Sequence, residues 1–67
     1  MNKSKAPSSS DVYLEFTQMG KQMRVAAIDA KSGVEVVIIT PLNTPRQQIE
    51  KLAIAKLKRR FEQLKNS

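Results

Sequence analysis

After Pro45 the chain holds no glycine or proline through Lys65, and Ile49, Ala53, Leu57, Phe61 and Leu64 recur there on one helical face. Everything ahead of this stretch reads as extended chain, so the protein has one helix to offer. A single rod can shelter one side of a small sheet and no more. The stretch "GVEVVIIT" makes that constraint acute. Val34, Val36 and Ile38 point to one side of a strand, while Val37 and Ile39 point to the other.

The other extended segments alternate more cleanly. "DVYLEFTQ" sets Val12, Leu14 and Phe16 against Tyr13, Glu15 and Thr17, the period-2 pattern of a half-buried strand. Gly20 marks a turn, because glycine takes positive φ freely, and "MRVAAI" follows as a second strand. In "DAKSG", Asp29 and Ser32 can bond nearby backbone groups and Gly33 supplies a left-handed position. A third strand runs from Val34 to Thr40, ended by Pro41. "TPRQ" predicts Thr44 as N-cap, Pro45 as first helical residue and Gln47 as the partner in a capping box.

These elements predict one α+β domain over residues 11–67: a three-stranded antiparallel meander with one C-terminal helix packed on one face (βββα). Residues 1–10, "MNKSKAPSSS", read as a disordered tail with nothing to bury against the entropy of ordering. In the natural hairpin registers the inner face is Val12, Leu14, Phe16, Met23, Val25, Ala27, Val34, Val36 and Ile38, all apolar. The outer face holds Tyr13, Ile28, Val37 and Ile39 as a near-continuous patch, and Glu15 diagonal to Arg24.

A chain of 67 residues makes a marginal domain. With no Cys and no His, disulfides and the usual zinc sites are excluded, which leaves association as the natural supplement. Burying the four outer-face side chains is worth on the order of 8 kcal/mol before association costs of similar size. A helix of this length spans about 31 Å against about 25 Å for a strand, so Phe61 and Leu64 are expected to overhang the sheet. Tyr13, Ile28, Val37, Ile39, Phe61 and Leu64 are therefore the candidate protein interface, with a homodimer the expected use and another protein the alternative partner.

The same inventory disfavours catalysis. The common general bases and nucleophiles are missing, and Gly20 and Gly33 are single turn glycines, not a phosphate loop. No catalytic residue, metal or cofactor is expected.

The formal charge of +6 is uneven. Residues 45–67 carry seven Lys or Arg against Glu50 and Glu62, a balance of +5, whereas residues 11–44 balance at −1. Lys51, Lys58 and Lys65 recur at seven-residue spacing on one helical stripe, with Lys56, Arg59 and Arg60 nearby and Lys3 and Lys5 as a basic arm. Non-specific nucleic-acid binding through Lys51, Lys58, Arg59 and Lys65 is the rival reading. Its bland counterpart is a solvated helix back in which Glu62 pairs with Lys58, Arg59 or Lys65. Domains that lay a three-stranded sheet on DNA, such as the arm-binding domains of phage integrases, use a basic sheet face. Here that face has Arg24 as its only cation. No apolar run approaches the roughly 20 residues that span a bilayer, and the N-terminus lacks the apolar core of a secretory signal, so a cytoplasmic location and no membrane partner are expected.

Taken together, "VYLEF…G…MRVAAIDAKSGVEVVIITP" followed by "IEKLAIAKLKRR" resembles a family of short, uncharacterised bacterial proteins with the same β-β-β-α layout. The similarity covers nearly all of residues 12–60, and its motifs are turns and core positions. The resemblance implies a fold but no activity and no binding residues.

Overall fold

The structure is a computed structural model and describes residues 11–65. The expected tail at residues 1–10, with Lys3 and Lys5, lies outside them. The elements run β1 (Val12–Met19), β2 (Gln22–Asp29), β3 (Glu35–Pro41) and α1 (Arg46–Lys65). The strands form one antiparallel sheet in the order β1-β2-β3, and α1 packs over β2 and β3. This is the predicted βββα meander.

Two turns set its register. Gly20 has φ +61° while Lys21 keeps a negative φ, the pattern of a two-residue hairpin whose twist matches the flanking strands. It pairs Met19 with Gln22 and, counting back, Phe16 with Val25, Leu14 with Ala27 and Tyr13 with Ile28. The second loop is held by Asp29. Its Oδ2 accepts from Ser32 N at 2.8 Å, its C=O accepts from Gly33 N at 2.8 Å, and its N–H donates to Val34 O at 2.9 Å. Val34 N donates to Ser32 Oγ at 3.1 Å, and Gly33 sits at φ +78°, as expected of it. Through this loop Val25 faces Ile38, Ala27 faces Val36 and Ala26 faces Val37.

Paired residues of an antiparallel ladder share a face, so both predicted faces form as read. The inner face supplies Val25, Ala27 and Val36 to a buried cluster with Ile49, Ala53 and Leu57 of α1. Val12, Leu14, Phe16, Met23, Val34, Ile38 and Phe61 close around it. Small residues at 27 and 53 let the helix approach the central strand. Arg46 lies over the Phe16 ring, 4.4 Å from its centroid, and bonds Glu50 at 3.1 Å one helical turn on, which fastens the start of α1 to β1.

The boundaries differ from expectation at two places. β3 begins at Glu35, not Val34, and retains Pro41, which pairs with Gln22. The bonds Asp29 N to Val34 O and Leu42 N to Lys21 O set the alternation by which even-numbered β3 residues bond β2. Pro41 is odd-numbered, so its missing N–H would have pointed away from the sheet, where an edge strand tolerates it. At the helix start, Ile49 N donates to Pro45 O at 3.1 Å and Thr44 N to Pro41 O at 3.1 Å. The helix therefore starts at Arg46, one residue late for the Thr44–Gln47 capping box, which is not formed. A Pro41–Thr44 turn sets the start instead.

Candidate functional site

On the outer face, side chains from three strands lie in register. Tyr13 sits opposite Ile28, Val37 is the diagonal neighbour of Ile28, and Ile39 follows Val37 two residues on. Tyr13 is 65% exposed and Ile39 48%, whereas Ile28 and Val37 are half-buried between strands. Ala26, in the middle, is fully shielded by the larger side chains beside it. Among the described residues no element lies over this face. Glu15 and Arg24 form no ion pair there: Glu15 faces Ala26, and Arg24 stands between Thr17 and Ile39.

The helix end does not behave as one unit. Phe61 folds back onto the chain's own core, half-buried, while Leu64 keeps 43% of its surface. Phe61 therefore overhangs less than its position along the helix suggests, because it still packs against the core cluster beneath α1.

The basic residues divide between two places. Lys51, Lys58 and Lys65 are exposed along one stripe of α1. Arg59 is roughly 100° around the helix from Lys58, one residue's rotation, and lines a different feature with Lys56 and Arg60. Glu62 forms no ion pair with Lys58, Arg59 or Lys65 among the described residues, where α1 carries only the Arg46–Glu50 pair.

That different feature is an open groove of about 550 Å³ between α1 and the free edge of β3. Val36, Ile38 and Leu52 form its apolar floor, and Lys56, Arg59 and Arg60 its rim. Leu52, at the margin of the apolar stripe, is 47% exposed. Among the described residues no carboxylate lines the groove. Two local bonding facts distinguish it. Lys56 Nζ donates to Val37 O at 2.6 Å, a charge-assisted bond that covers one outward carbonyl of the edge strand. Thr40, 5% exposed on the groove wall, has a buried Oγ1 with no hydrogen-bond partner among the described residues. An enclosed hydroxyl in that condition costs about 1–3 kcal/mol.

Sequence reasoning missed this groove. Its signal was a helical flank, Leu52, Lys56, Arg59 and Gln63, apolar at one end and basic at the other. Which strand edge that flank meets follows from the rotation and crossing of the helix, which no periodicity reports. A smaller hollow of about 300 Å³ lies on the β1 side, between Val12, Leu14, Arg46 and Ile54. Among the described residues there is no cluster of metal-ligating side chains, and no helix is long and apolar enough to cross a membrane.

The Asp29 carboxyl is held below its ordinary range by hydrogen bonds from the Ser32 hydroxyl first and the Ser32 backbone N–H second, partly offset by desolvation. Its role is to shape the loop.

No curated protein and no solved structure matches the chain. A family described as a domain of unknown function, DUF6898, matches residues 9–64, nearly the whole of the fold just described. The chain belongs to the DUF6898 family, which is uncharacterised.

Proposed function

We propose that the protein is a small non-catalytic interaction module that self-associates through the outer face of its sheet. One observation carries this reading: Tyr13, Ile28, Val37 and Ile39 form a connected apolar patch on the side of the sheet away from α1. Exposed apolar residues are ordinary when scattered; a connected patch on one sheet face supports docking. A two-fold contact uses the patch twice, so each residue counts on both sides. Phe61, packed on the core, contributes little to it, and Leu64 lies in the helix layer.

Sedimentation equilibrium up to high micromolar concentration tests the proposal. A dimer that Ile39→Lys converts to monomer supports it, and a wild-type chain that stays monomeric throughout removes it. Ile39 is the suitable handle, since it is half exposed and its replacement leaves the core untouched.

A second reading has its own observation. Lys51, Lys58 and Lys65 are exposed on one stripe and unneutralised by Glu62, the arrangement that binds phosphates without sequence preference. No salt-dependent binding to duplex DNA or to RNA at low ionic strength would eliminate it.

A further inference from the structure

The groove beside β3 combines a free sheet edge with a basic, apolar-floored channel. Among the described residues β3 pairs with β2 alone, and the ladder alternation turns the main-chain groups of Glu35, Val37 and Ile39 outward. Next to that edge lie the aliphatic floor of Val36, Ile38 and Leu52 and the cations Lys56, Arg59 and Arg60.

We infer that this groove takes an extended acidic segment of another protein, which adds to β3 as a fourth strand. Strand addition of this kind uses main-chain bonds for attachment and alternate side chains for specificity. Here every second side chain of the segment turns in against Ile38 and Leu52, and its carboxylates meet Lys56, Arg59 and Arg60. Its backbone N–H replaces the Lys56 ammonium now 2.6 Å from Val37 O, which frees Lys56 to pair with the segment. In the free chain, then, Lys56 guards the edge; in the complex it is part of the rim.

The charges argue against other occupants. A second copy paired edge to edge would bring two sets of three cations together with no carboxylate among the groove-lining residues to meet them. Single-stranded nucleic acid would satisfy the rim, but none of the lining residues is aromatic, so bases have nothing to stack on. The inference deepens the interaction-module reading by naming a partner class. It uses the β3 edge and the groove, which share only Ile39 with the outer-face patch, so a strictly monomeric chain leaves it standing.

The test begins with a displayed library of random peptides about eight residues long, the length of a strand, selected on the full chain. Enriched peptides are then titrated into labelled wild-type protein and the exposed charge-reversal variant Arg59→Glu/Arg60→Glu, whose fold is checked by far-UV circular dichroism. The expected peptides are acidic with alternating apolar residues, and they shift the Val37 and Ile39 amides most. Their affinity falls at least about tenfold in the variant and returns when their acidic residues are exchanged for Lys. Methylating alternate peptide nitrogens abolishes binding. Failure of any sequence to enrich overturns the inference. So do equal affinity for the variant, shifts confined to Tyr13, Ala26 and Ile28 or to Lys51, Lys58 and Lys65, or an oligothymidylate that displaces the peptides from the same amides.

Discussion

Replacing Thr40 with valine should make the protein more stable, although Thr40 is among its most buried residues. The side chain is 5% exposed on the inner face, beside the groove floor, and its Oγ1 has no hydrogen-bond partner among the described residues. Valine has nearly the same shape and the same liking for strands, so the backbone and packing are retained. What changes is the hydroxyl, which is hydrated in the unfolded chain and unpaired in the folded one. Removing such a group recovers about 1–3 kcal/mol, less whatever the hydroxyl regains by rotating toward a neighbouring carbonyl. A net gain of about 1 kcal/mol raises the melting temperature of a domain this size by about 4–8 °C. Urea and thermal unfolding followed by far-UV circular dichroism read the change, in dilute protein so that association does not contribute. Thr40→Ser is the control: it keeps the hydroxyl, loses the methyl and should lower stability. If Thr40→Val unfolds at the same or a lower urea concentration with unchanged slope, the hydroxyl is bonded in solution and the groove wall is not built as described.

Two further outcomes test the core and the loop. Leu57→Ala, at a site 2% exposed against the sheet, should cost about 2–5 kcal/mol, most of the stability of so small a domain, whereas Leu52→Ala at 47% exposure should cost far less; equal losses in urea unfolding would mean that α1 is rotated from the orientation described. The depressed Asp29 carboxyl stabilises the fold fully above its ordinary unfolded pKa, and that contribution disappears as pH falls through the lower folded value. The urea midpoint of the wild type should therefore drop more between pH 6 and pH 3 than that of Asp29→Asn, and parallel curves would refute the role given to Ser32.

Much of the architecture is legible in the residues because it is written locally. Gly20 and Gly33 stand where positive φ is needed, at +61° and +78°. With turn lengths set, period-2 alternation assigns every strand residue to a face, and the inner and outer sets agree residue by residue with the paired register. The apolar spacing in α1 likewise identifies Ile49, Ala53 and Leu57 as the buried line. Local signals misled where neighbours compete: the Pro41–Thr44 turn displaced the capping box, and an edge position let Pro41 remain in the ladder.

The candidate sites divide along the same line. That Tyr13, Ile28, Val37 and Ile39 share a face was determined by sequence alone, since alternation and hairpin register are short-range properties. Only the tertiary structure decided that Phe61 belongs to the core, that Arg59 parts company with Lys51, Lys58 and Lys65, and that Lys56 reaches Val37 O from 19 residues away. Each of those depends on how α1 is rotated and where it crosses the sheet. Packing of the Ile49–Ala53–Leu57 line against Val25, Ala27 and Val36 sets both quantities together, and no single stretch of chain contains them.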